Sequence, residues 1–142
     1  DERADRRLHS FEQAAKAARL PAVLSVRVPA PTTLKSGREA LARLLNESQP
    51  VDAVFCSSDL LALGVLTEAR ARGIEVPARL AVVGFGDLEF PADLEPSLTT
   101  VRIDGDAIGR QAAQFIIERA EGRSPPSTVV DVGFQIIERA SA

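Results

Sequence analysis

Tryptophan, tyrosine and methionine are absent from this chain, and cysteine and histidine occur once each, as Cys56 and His9. Each absence removes a class of chemistry. Phenylalanine supplies every aromatic ring, at 4% of residues, so stacking platforms for sugar rings or bases are nearly unavailable. A single cysteine closes no internal disulfide and fits a reducing compartment, so a cytoplasmic location is expected. His9 has no cysteine or second histidine with which to share zinc, so it is expected on a helix surface, and no metal site is expected. No Gly-x-Ser-x-Gly motif, Ser–His–Asp set or Cys–His set is present. Cys56 sits in an apolar run without an activating base and reads as a small buried hydrophobe. No enzyme and no cofactor are therefore expected.

Charge and hydropathy exclude more. The formal net charge is −3, from 17 Lys and Arg against 20 Asp and Glu, which argues against nucleic-acid binding through a basic face of this chain. No apolar stretch reaches the ~18 residues of a membrane span, and no secretory leader is visible. The chain opens Asp1-Glu2-Arg3 without any Met, the expectation for a piece of a longer protein, so missing targeting signals carry less weight. What is present is ordinary for one compact domain: 142 residues, 45% hydrophobic and 26% charged.

Periodicity predicts alternating helices and strands. Leu8, Phe11, Ala15 and Ala18 form one helical stripe over residues 4–20, ended by Pro21. Residues 22–28 alternate as a strand does. Ser36-Gly37-Arg38-Glu39 matches a capping box for a helix continued by Leu41, Leu44 and Leu45. Residues 51–56 and 80–85 read as buried parallel strands. Between them lies a helix capped by Ser57 or Ser58, reaching Arg72 with Gly73 as its stop. Residues 87–97 form an acidic loop and 98–101 an extended segment. A helix over 107–120 is capped by Asp104 or Asp106, and a last strand spans 129–137. This order implies an α/β fold with a parallel sheet and helices on both faces.

In such a sheet, ligands bind beyond the carboxyl ends of the strands. Loops 29–35, 56–59 and 85–90 meet that rule. Ser57-Ser58-Asp59 offers hydroxyls and a carboxylate to a polyol, yet the same residues are ordinary helix caps, and both roles can hold together. Gly84-Phe85-Gly86-Asp87-Leu88-Glu89 lacks the dinucleotide-binding glycine order. Asp87, Glu89, Asp93 and Glu95 lack EF-hand spacing and read as a solvated acidic loop. Residues 60–66 are apolar almost all round, although one stripe suffices to cover a sheet. The excess means deep burial or a partner, evenly balanced on this ground alone.

The run Val51-Asp52-Ala53-Val54-Phe55-Cys56-Ser57-Ser58-Asp59-Leu60-Leu61-Ala62-Leu63-Gly64 resembles the LacI/GalR regulator pattern of an apolar strand followed by Asn-Asp and Ala-x-Gly. Gly73-Ile74-Glu75-Val76-Pro77, Leu80-Ala81-Val82-Val83-Gly84-Phe85, Pro96-Ser97-Leu98-Thr99-Thr100-Val101 and Ile108-Gly109-Arg110-Gln111-Ala112-Ala113 continue the likeness over nearly the whole chain. Within that family, Gly86-Asp87-Leu88-Glu89 and Val130-Asp131-Val132-Gly133-Phe134-Gln135-Ile136 look like the gluconate operon repressor branch.

The resemblance implies the C-terminal part of a repressor's effector-binding domain, one lobe of a class I periplasmic-binding-protein-like sensor. Its helix-turn-helix, the element that would meet operator DNA, lies outside this chain. Residues 1–103 would form the C-terminal lobe, 104–122 a helix of the missing lobe, and 123–142 the return strand. That helix is expected to find no native place in this lobe's sheet. Arg7 matches the family arginine that contacts effectors from the first helix. Thr32 falls where many relatives carry an aromatic, Ser58 replaces an Asn, Gly86 an Asp and Ile103 a Gln. Asp59, Asp87 and Glu89 complete the expected ligand-facing set. These departures fit a small, open-chain sugar acid such as gluconate better than a pyranose. Leu60, Leu61, Leu63, Leu66 and Leu94 match the family's homodimer surface. The alternatives are a lobe of a periplasmic sugar-binding transport protein and, more remotely, a flavodoxin-like enzyme or receiver domain, which needs a phosphate loop or buried acidic cluster that is not seen.

Overall fold

The computed structural model describes residues 2–123, 127 and 129–142. Its elements are α1 (Glu2–Ala17), α2 (Leu34–Leu44), β1 (Ala53–Phe55), α3 (Asp59–Ala71), β2 (Ala81–Gly86), a 3-10 turn at Pro91–Asp93, β3 (Thr99–Arg102), α4 (Gly105–Ala120) and β4 (Gln135–Ile137). The strands form one sheet in the order β1-β2-β3-β4. β1, β2 and β3 run parallel, as the alternation of elements requires.

Register divides the side chains between two faces. Val54 sits opposite Val82, and Gly84 opposite Thr100. This face meets α3, and α2 packs on α3 behind it. The core lies here, in Leu41, Cys56, Leu61, Ala62, Val65, Leu66, Ala69, Leu80, Val82 and Leu98. Phe55, Val83, Phe85 and Val101 therefore point to the other face, because neighbouring residues in a strand alternate. There α1 crosses, with the Phe11 and Phe55 rings 5.7 Å apart.

The all-round apolarity of α3 follows from this layering. One side covers the sheet while the other meets α2 so closely that neither helix tolerates a side chain at the crossing. A Cβ on Gly64 would stand 2.3 Å from the Leu34 carbonyl oxygen, and one on Gly37 would stand 2.3 Å from that of Leu61. Glycine lets the two backbones touch.

Several sequence expectations change. The predicted strand at 22–28 makes no ladder, although Val23, Leu24, Val26 and Val28 are half-buried in the expected alternation. Alternation specifies which side chains face the body, not which backbone pairs with which. The α2 cap sits three residues earlier than expected. Thr33 is the cap, its hydroxyl accepts from the Ser36 amide at 3.0 Å, and Ser36 Oγ accepts from the Thr33 amide at 2.8 Å. A serine thus does the work usually given to Glu at that position. Ser58 and Asp104 are the caps of α3 and α4.

The last strand is shorter than 129–137 and antiparallel to β3. The chain leaves β3 at Arg102 and re-enters opposite it at Gln135, at the same end, so it can only run back. Gly122 to Ser127, with two prolines, reads as a turn in the sequence, but Ser124, Pro125 and Pro126 lie outside the described residues. Past β4, the fully buried Ser141 bridges β2 and β3: its hydroxyl donates to the Val82 carbonyl at 2.6 Å and accepts from the Thr99 amide at 2.8 Å. By contrast, α4 buries none of its residues and leaves Ile108, Ile116 and Ile117 exposed.

A candidate effector crevice at the strand ends

The carboxyl ends of β1 and β2 carry Phe55-Cys56-Ser57-Ser58 and Phe85-Gly86-Asp87-Leu88, and α1 lies across them. Arg7, half-buried on α1, places its guanidinium 4.2 Å from the centroid of the Phe85 ring. The ring's electron-rich face attracts a cation at that range. The Arg7 Nε is buried with no hydrogen-bond partner. Burial first, and the nearby Arg3 second, lower the pKa of Arg7 from its ordinary value. Both effects mean that positive charge is held here at a cost that an arriving anion would relieve.

Asp59 is placed otherwise than a ligand contact would be. It is fully buried. One carboxylate oxygen accepts from Thr100 Oγ1 at 2.5 Å, the other from the Leu88 amide at 2.8 Å. The carboxylate also stands in the first turn of α3, where the helix dipole favours it. Gly84 clears its space, since a Cβ there would lie 2.3 Å from the same carboxylate. Asp59 thus pins the loop that forms the crevice wall rather than facing the crevice.

Asp87 is equally committed. Its φ of 53° turns the chain into the left-handed region, and its side chain is almost buried between Arg139 at 2.8 Å and Arg102 at 2.5 Å. Burial opposes its ionisation, but the two guanidiniums outweigh burial and hold its carboxyl below the usual range. Gly86, at φ 130°, contributes backbone only. Ser58 is half-buried, its hydroxyl 3.3 Å from the Leu61 amide as a cap, and Ser57 is exposed beside it. Thr32 is half-buried and Glu89 exposed, and among the described residues no hydrogen bond or ion pair links either to this group. Ile103 is half-buried just beyond β3.

The proposed dimer leucines divide. Leu61 and Leu66 belong to the core, Leu94 packs against it from the side, and Leu60 and Leu63 remain half-buried. The sequence reading passed over Phe85 as a ligand-side residue, together with Thr100, Arg102 and Arg139. A threonine pair in the apolar stretch Leu98-Thr99-Thr100-Val101 was a signal that a buried acceptor needed a donor. Nothing local marks Arg139, which reaches Asp87 from 52 positions away. Among the described residues no cluster of three or more His, Cys, Asp or Glu could hold a metal, and no helix is long and apolar enough to cross a membrane.

Comparison with known proteins agrees with the fold. The profile of the periplasmic binding protein-like domain matches residues 1–142. The HTH-type transcriptional regulator GntR of Pseudomonas aeruginosa is 36% identical over 118 residues, covering 83% of this chain and 34% of that protein. The crystal structure of transcription regulator GntR from Chromobacterium violaceum superposes with a TM-score of 0.93 at 38% identity, covering 99% of this chain and 52% of that one. The complex of the regulator CelR with cellobiose superposes at 0.85 and 31% identity, covering 96% of this chain and 42% of that one. The chain spans about a third of the length of the first of these relatives, and all three are transcription regulators. The chain belongs to the periplasmic binding protein-like domain family, in the form carried by LacI-type transcription regulators.

Proposed function

We propose that this chain is the effector-sensing lobe of a LacI-type repressor and that its ligand is a small sugar acid of the gluconate type. The carrying observation is Arg7. Of the charged groups drawn together at the crevice, Asp59 and Asp87 are satisfied inside the protein, while Arg7 keeps a buried, unpaired Nε above Phe85. A site whose acids are used up and whose arginine is not selects an anion, and a carboxylate matches the guanidinium fork. The sugar half of the reading draws on the cellobiose bound by a regulator of the same fold, and the acid half on the resemblance to the gluconate branch. Ser57 and the loop amides supply hydrogen bonds to hydroxyls.

In the intact protein, a second lobe would close over this crevice and a helix-turn-helix would read the operator. The effector would bias the equilibrium between operator-bound and released forms. A homodimer would form through the α3 face that still shows Leu60 and Leu63. A transport role is the weaker reading, since the relatives described above are all regulators.

Calorimetry of the full-length protein with gluconate, 6-phosphogluconate and neutral glucose tests the ligand class. Arg7→Ala should weaken gluconate binding by about tenfold or more, the worth of a charge-assisted hydrogen bond. Equal affinity in the variant removes the carboxylate role. Binding of glucose but not gluconate removes the sugar-acid reading.

A further inference from the structure

We propose that Arg102 is a positioning residue that couples the crevice loop to the place where the chain leaves this lobe. The inference rests on the sensor reading above and adds how the site's state is passed on.

Asp87 sits two residues beyond Phe85, the ring under Arg7, so it moves with the crevice wall. Its carboxylate is held from two directions. Arg139 is the fixed one. Its Nη1 donates to the Leu98 carbonyl at 2.8 Å and its backbone amide to Thr99 Oγ1 at 2.9 Å, while Nη2 reaches Asp87. Arg102 is placed differently. It is the last residue of β3 and stands opposite Gln135, the first of β4. Beyond this pair the chain leaves the body of the lobe. α4 buries nothing, and Val129, Val130 and Phe134 stand exposed on the way back. The pair Arg102 and Gln135 is therefore exit and re-entry, and Arg102 grips Asp87 there through both Nε and Nη2.

A charge-assisted hydrogen bond from a planar guanidinium, here Nε to Asp87 Oδ2 with Nη2 close to the same oxygen, is strong and fixes the geometry of both partners. Of the loop's other contacts, the Leu88 amide to Asp59 leads into α3, while Gly86 pairs with Arg102 at the end of the β2–β3 ladder, so the loop meets the exit strand through backbone as well as side chain. When a ligand on Arg7 and Phe85 shifts the loop, Asp87 must either break from Arg102 or carry the exit strand with it. A ligand changes a distant equilibrium only through contacts that differ between the states, and Arg102–Asp87 is the contact placed to differ. Arg139 keeps the loop folded when Arg102 is lost, which separates transmission from local structure.

The test uses the full-length regulator carrying Arg102→Gln or Arg102→Lys, with gluconate as probe. Operator affinity without gluconate should stay within about twofold of the parent protein, while the gluconate-induced change in operator affinity should fall by about fivefold or more in the Gln variant. The Lys variant, which retains the charge, should recover part of it. Undiminished coupling in the Gln variant overturns the proposal. So does equal loss in both variants, which would mark a merely structural role. If the parent protein shows no gluconate response, the sensor reading fails at that step, and amide exchange without ligand decides the coupling by itself. Arg102→Gln should speed exchange at Leu88, on the far side of Asp87; unchanged exchange there overturns the link.

Discussion

Removing one hydroxyl from the buried, α3-facing side of the sheet should be among the more damaging small changes in this protein. Thr100→Val keeps the side-chain shape and leaves no cavity, but deletes the donor that meets Asp59 at 2.5 Å in a fully buried setting. Hydrogen bonds to charged groups contribute about 1.5–3 kcal/mol, and leaving a buried acceptor short of a partner adds to the loss. The expected cost is about 2 kcal/mol. At roughly 3 °C per kcal/mol for a chain of this size, the melting temperature should fall by about 6 °C. In urea the midpoint should move by about 1 M with the slope unchanged. A double-mutant cycle isolates the bond: in an Asp59→Ala background, Thr100→Val should cost little. A loss under about 0.5 kcal/mol, or one that is additive with Asp59→Ala, refutes the assignment of Asp59 as the pin of the loop.

Other consequences are as direct. Burial first, and the nearby Asp59 second, push the Cys56 thiol up to about 12, so native protein at pH 8 should resist iodoacetamide and label only on unfolding. Rapid labelling of the folded chain contradicts this. The carboxyl of Asp87 is held below its ordinary 3.8. Its stabilising share is therefore complete above about pH 4 and drains away as pH falls through the lower folded value. Asp87→Asn should lower stability at pH 7 and flatten the acid limb of a stability–pH profile; an unchanged limb shows that the two arginines do not outweigh burial. For the proposed dimer, Leu60→Asp with Leu63→Asp should give monomers in analytical ultracentrifugation without unfolding, because neither residue belongs to the core. A persistent dimer moves the interface elsewhere.

Much of the fold was legible in residue order alone. Apolar runs at 51–56 and 80–85, separated by a capped helix, can only build parallel strands with a crossover, and Gly73, at φ 66°, stops α3 where expected. Departures from the family pattern at Thr32, Ser58, Gly86 and Ile103 are likewise local, and they are the sequence's ground for proposing a ligand without a stacked ring. What residue order could not supply was the destination of each polar atom. Asp59 and Asp87 read as ligand-facing acids, because a carboxylate near a strand end looks the same whether its partners are solvent, ligand or protein. Only the tertiary structure brought Thr100 and the Leu88 amide to the first, and Arg102 and Arg139 to the second. The same holds for α3. Its sequence stated an excess of apolar faces, but that α2 covers the one at Gly64, leaving Leu60 and Leu63 half-buried, depended on Gly37 and Gly64 meeting across the layers. Composition and periodicity act within a helix turn or a strand and so are written locally. The pairing of a buried charge is decided by chain segments tens of residues apart, whose approach no local pattern records.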